Sequence, residues 1–179
     1  MTQFKAFALG VEVSGETVLA VVAGMGPFKA TGLKILAEHG IPSPLAGQGY
    51  PQQDWLEAFQ AIAVKIGVGT LPSIGKAVAD STPWPAEVDT IEMALTALDT
   101  AHHWNYRGGE IGSYRFELSG PKSGKMICHN LYPSEFDQGL ISAPIRKFAR
   151  PGVFPVIKLD ESAPTRRKGG GTCTFVITW

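Results

Sequence analysis

The spacing of apolar residues changes character once along this chain. Through roughly the first hundred residues it is helical, and after Tyr106 it becomes short and alternating. Residues 1–24 are ambiguous between a hairpin and a helix, and the reading adopted is a helix from Ser14. Pro27 to His39 reads as a helix with Phe28, Leu33 and Leu36 apolar and Gly40 at its end. The Pro/Gly stretch 41–51 is a loop, and Pro51 suits the first position of the next helix. There Trp55, Phe59, Ile62, Ala63 and Ile66 form one stripe, stopped by Gly67. Thr70 is placed to cap a short helix carrying Leu71, Ile74 and Val78, which the two prolines of residues 80–87 end.

Asp89 and Glu92 resemble a capping box, and Ile91, Leu95, Leu98 and His102 follow at i, i+4, i+7 and i+11. This spacing puts His102 on the buried stripe, with Arg107-Gly108-Gly109 as the helix stop. Tyr114, Phe116 and Leu118 then share one face of a strand, and residues 120–124 turn into a partner strand around Met126. Ser134 and Asp137 signal the cap of a helix running through Phe148, kinked at Pro144. Val153–Leu159 and Cys173–Trp179 read as a second hairpin, joined by a basic, solvated connection containing Arg166-Arg167-Lys168. The expected class is α+β: a helical N-terminal half packed on a C-terminal antiparallel sheet of about four strands, crossed by one helix. A length of 179 residues suits one domain, with residues 1–45 as N-terminal helices or an extension and residues 50–179 as the ligand-binding core.

Composition narrows the function classes. Sixteen basic residues balance sixteen acidic ones, which argues against a nucleic-acid binder. The balance hides a split: residues 1–100 carry 5 Lys against 10 Asp/Glu, and residues 101–179 carry 11 Lys/Arg against 6. Opposed halves of −5 and +5 suit attraction within the fold or across a homodimer. No apolar run is long enough to span a membrane, and two cysteines make no disulfide framework. The expected setting is cytoplasmic with reduced thiols.

Candidate chemistry concentrates at residues 99–110. His103 follows Asp99 by four residues, within reach of a carboxylate–imidazole hydrogen bond that would fix the ring tautomer and strengthen a metal or haem ligand. The bland alternative is one core histidine and one surface histidine. Trp55, Phe59, Trp84, Trp104 and Tyr106 either line an apolar cavity or make plain core. Cys128 and His129 point to opposite faces of one strand, with Cys173 on a neighbouring strand, so zinc is the weaker metal candidate. No nucleophile elbow or phosphate loop is present.

The order of helices, a His-bearing helix, then hairpin, helix and hairpin resembles the superfamily of haem nitric-oxide-binding (H-NOX) domains, 4-vinyl reductase domains and TRAPP subunits. The ending GGGTCTFVITW and the stretch AHHWNYRGGEIGSYRFE carry the likeness, over roughly residues 50–179. It implies a small-ligand or interaction domain, often dimeric and sensory, with His102 where the H-NOX haem ligand would lie. The H-NOX Tyr-x-Ser-x-Arg haem-propionate motif is absent, and Tyr114-Arg115-Phe116 is no substitute. The leading expectation is a sensor or carrier of haem or another flat apolar ligand. Its site draws on His102, His103, Trp104, Arg107, Glu110 and Tyr114, with His102 or His103 as the metal ligand. Two alternatives are a haem- or metal-dependent enzyme with Glu110 or His129 as acid/base, and a ligand-free dimeric interaction module.

Overall fold

The computed structural model describes residues 3–179. A short strand β1 (Glu12–Ser14) leads into helix α1 (Gly15–Gly24), whose first turn is capped by Ser14 accepting from the Thr17 amide. Helix α2 (Lys29–Glu38) follows, then strand β2 (Gly49–Pro51) and helix α3 (Gln52–Ile66). Helices α4 (Leu71–Asp80) and α5 (Ile91–His103) complete the helical half. Strand β3 (Tyr106–Arg107), hairpin β4 (Ser113–Gly120) and β5 (Ser123–His129), helix α6 (Ser134–Phe148), β6 (Val156–Leu159) and β7 (Cys173–Thr178) make up the rest. The chain is α+β, as its patterning foretold.

Two antiparallel sheets form. The larger runs β4-β5-β7-β6, with α6 as the crossing helix. The smaller, β2-β1-β3, has no counterpart in the apolar pattern, because strands of two or three residues are too short to show a period. Its third strand uses Arg107, a residue read from sequence as part of a helix stop. Val13, Val18, Val21 and Leu36 join the same core cluster as Phe59, Met126 and Phe175, so α1 and α2 contribute to the common interior.

Glycine sets how closely the helices approach. A Cβ on Gly75 of α4 would lie 2.1 Å from the Phe136 carbonyl oxygen of α6, and one on Gly139 of α6 would lie 2.0 Å from the Pro72 carbonyl oxygen. The two backbones are thus in direct contact, and this contact fixes where Phe136 sits.

Three local expectations are corrected. The cap of α5 is Thr90, whose hydroxyl accepts from Met93 N at 3.2 Å; Asp89 and Glu92 form no box. Helix α6 has Pro133 at its N-cap position and no side-chain cap. Ser134 donates instead to Glu135 Oε2, and Asp137 is fully buried. The connection before β7 is not simply solvated, since Arg166 enters the interior at 3 % exposure. No single helix among the described residues is long and apolar enough to cross a membrane.

Candidate functional site

Helix α5 carries Leu95, Leu98 and His102 inward on one stripe, and the ring of His102 ends in a small cavity. The cavity lies where α1 (Thr17), α3 (Trp55), α4 (Val78, Ala79), α5 (Leu98, Ala101) and α6 (Phe136, Leu140) converge. Asn105, Tyr106 and Tyr132 close it from the loops and the short sheet. Its volume is about 20 Å³, room for one water. Beside it runs an open groove of about 720 Å³ that shares Thr17, Val78, Thr82, Ala101 and Asn105 with the cavity. Leu19, Pro83, Trp104 and Arg107 extend the groove outward.

His102 is 9 % exposed, and its Nε2 has no hydrogen-bond partner. Burial, with the neighbouring His103 charge, pushes its pKa down to about 3; the Ile111 backbone pulls weakly the other way. The ring is therefore a neutral imidazole throughout the physiological range. Tyr106 and Tyr114 pack around it, with ring centroids 4.9 and 5.1 Å away.

A hydrogen-bonded chain forms one wall. Trp55 Nε1 donates to the Tyr132 hydroxyl at 3.0 Å, and the Tyr132 hydroxyl shares a short hydrogen bond with that of Tyr106. Burial raises both phenols, Tyr132 to about 12 and Tyr106 well above its usual value, so both stay protonated. Two hydroxyl protons meet in one shared bond. One is left to donate elsewhere.

A second buried network lies on the sheet side of α6. Asp137 accepts from Tyr114 Oη at 2.7 Å and Asn130 Nδ2 at 3.0 Å, and pairs with Arg166. Arg166 Nη1 also donates to the Cys128 carbonyl at 2.6 Å. Burial raises Asp137 against the pull of this guanidinium. Cys128 and Cys173 face each other across β5 and β7 in register, and burial raises both thiols. Among the described residues no group of three or more His, Cys, Asp or Glu side chains is arranged to hold a metal ion.

The expected site residues thus divide. His102 faces the cavity. Trp104 and Arg107 stand on the outer groove, Trp104 at 55 % exposure. Tyr114 packs on His102 but turns its hydroxyl to Asp137. His103 is exposed and is held away from the cavity: its Nδ1 lies 2.8 Å from the Asp99 carbonyl and 3.6 Å from Asp99 Oδ2. The foreseen Asp99–His103 contact forms, but on the surface, which corrects His103 as a partner of the pocket. Glu110 is also exposed, accepting from Gly112 N at 2.7 Å, and exposed His129 stacks on Phe7. Neither Glu110 nor His129 reaches the cavity, which leaves no acid/base role for them there. Asn105 falls within the stretch 99–110 singled out from sequence; Tyr132 and Phe136 were not foreseen. Tyr132 lies three residues beyond His129, between the strand and helix signals, where no period applies; Phe136 lies on the inward stripe of the expected helix with Leu140, a stripe that local pattern does not distinguish from plain core.

A scan against family models finds no match, and no curated protein is similar. Solved structures are similar in shape. An Fe(II) unliganded H-NOX protein mutant from K. algicida superposes with a TM-score of 0.68 at 17 % identity, over 92 % of this chain and 95 % of that one. An H-NOX protein from S. oneidensis in the Fe(II)NO state gives 0.65 at 12 % identity, over 90 % and 97 %. An oxygen-binding H-NOX domain related to soluble guanylate cyclases gives 0.64 at 12 % identity, over 92 % of each chain. At these identities the likeness is one of architecture: the chain has the H-NOX fold.

Proposed function

We propose that this chain is a sensory domain that binds a small, mainly apolar molecule, with the His102 imidazole as the group that meets it. One observation carries the reading: Nε2 of His102 is buried and unpartnered, and its ring lines a cavity whose walls are mainly apolar, among them Trp55, Leu98, Phe136 and Leu140. A buried polar atom left unsatisfied costs about 1–3 kcal/mol, so such an atom calls for a partner from outside the chain.

The K. algicida and S. oneidensis H-NOX proteins are described in Fe(II) states, which makes haem the first guest to weigh. At the iron the residues fit, since the neutral His102 imidazole with its free Nε2 could ligate it, while the cavity of about 20 Å³ is too small for the haem ring. At the carboxylates they do not. No Lys or Arg lines the cavity. Tyr132-Pro133-Ser134-Glu135-Phe136 keeps the Tyr and Ser of the Tyr-x-Ser-x-Arg spacing and places Phe136 in the arginine's position. The nearest buried guanidinium, Arg166, is committed to Asp137. Two carboxylates turned toward the Phe136 ring would be desolvated without compensation. The His102 imidazole therefore suits haem, and the rest of the cavity does not.

Long-range 1H–15N spectra separate the four imidazoles, with His102→Gln assigning the buried one. Titration with 1-naphthol, 1-naphthoate and haemin in turn should shift or broaden the His102 signals saturably for at least one of them, while exposed His103 stays still. Silence of His102 toward all three refutes the reading.

A further inference from the structure

Resting on that reading, we infer that the guest is a neutral molecule with one hydroxyl on an apolar body, an alcohol or phenol, seated by His102 and the Tyr106–Tyr132 pair. The cavity supplies two complementary groups. His102 Nε2 lacks a partner, and the tyrosine pair retains one O–H not used in its shared bond. A hydroxyl is the smallest group that satisfies both, because it donates one hydrogen bond and accepts another. The proton count closes when Nε2 accepts: the guest hydroxyl donates to Nε2 and accepts the spare phenol O–H, and the backbone hydrogen bond of the His102 ring to Ile111 suits that tautomer.

Size points the same way. The cavity holds about one water-sized group, while the groove that continues from it is open and more than large enough for the rest of a small molecule. A hydroxyl head in the cavity leaves the apolar body along Leu19, Val78, Pro83 and Trp104. Charge excludes the alternatives. The cavity has no cation, and the groove's one guanidinium, Arg107, shares its lining with the Glu16 carboxylate. An acidic guest, haem included, would bring carboxylates to walls that cannot balance them.

The test compares naphthalene, 1-naphthol, 1-naphthoate and haemin on the wild-type protein. Binding is read by intrinsic fluorescence or calorimetry and located by the His102 15N signals. One satisfied hydrogen bond is worth about tenfold in affinity, so 1-naphthol should bind at least about tenfold more tightly than naphthalene and shift His102. 1-Naphthoate should bind no better than naphthalene. Haemin should give no Soret band that depends on His102. His102→Leu should bring 1-naphthol down to the naphthalene level. If that variant fails to fold, the wild-type comparison and the 15N shift decide alone. A Soret band lost in His102→Leu, or 1-naphthoate preferred over 1-naphthol, overturns this inference and leaves the ligand-binding reading standing. A His102 signal that no compound moves removes both.

Discussion

Acid should weaken this fold through His102. The imidazole has a folded pKa of about 3 against an ordinary 6.5, because burial disfavours its charged form. Between these values the unfolded chain binds a proton that the native state does not, so stability rises with pH across that window and is lost as pH falls. At pH 5 the gap is about 1.5 pH units below the unfolded value, or about 2 kcal/mol relative to pH 8. For a domain of this length that is about 4–8 °C in Tm. The measurement is urea or thermal unfolding of the wild type and of His102→Leu at pH 8 and pH 5. The substitution itself changes stability by some constant amount, which cancels when each protein is compared with itself across pH. The wild type should lose about 2 kcal/mol more than the variant over this range. If both proteins lose the same amount, His102 titrates alike in the folded and unfolded states, and a neutral, desolvated ring in the cavity is refuted.

Other consequences are independent of the guest. Gly75→Ala and Gly139→Ala should each destabilise by about 1–3 kcal/mol in denaturant unfolding despite the better helix propensity of alanine, because each new methyl meets backbone at 2.1 or 2.0 Å. Arg166→Met should cost about 3–5 kcal/mol by leaving Asp137 charged and unpaired; Arg166→Met with Asp137→Leu should recover much of that loss in the same assay. Tyr132→Phe should cost about 1–3 kcal/mol, since Trp55 Nε1 loses its acceptor in a buried site, and the indole fluorescence should change with it.

How much of this was legible beforehand depended on the length of each element. Helix α5 spans 13 residues, long enough for its period to show, so His102 could be placed on the inner stripe without coordinates. The alternating faces of β4, β5 and β7 were legible for the same reason, and Cys128 lies opposite Cys173 as adjacent strands allow. The strands β1, β2 and β3 carry at most three residues each and left no period to read. The charged residues misled most. Arg166 sits in a run of three basic residues, and local composition favours a solvated loop. Its burial is decided by Asp137, 29 positions earlier, through a pairing that no local pattern encodes. Asp137 was in turn mistaken for a cap, because acidic residues in a first turn are usually there for the helix dipole.

Those two misreadings bear on what the site can bind. Consecutive residues of a helix point about 100° apart, so Phe136 and Asp137 face different neighbours. Phe136 turns to the cavity, against Phe59 and Tyr132, with centroids 5.3 and 4.9 Å away. Asp137 turns to the sheet, where Arg166, Tyr114 and Asn130 satisfy it. The helix therefore sorts its chemistry by face. Its buried charge is balanced wholly on the sheet side, and its cavity side offers rings, a neutral imidazole and phenols. A cation at position 136 would have to displace an aromatic cluster and stand uncompensated among the remaining rings. Architecture alone does not carry a ligand from one H-NOX fold to another; at this helical position the chain places a ring, and a cation that could balance an acidic guest in the cavity would have to replace it.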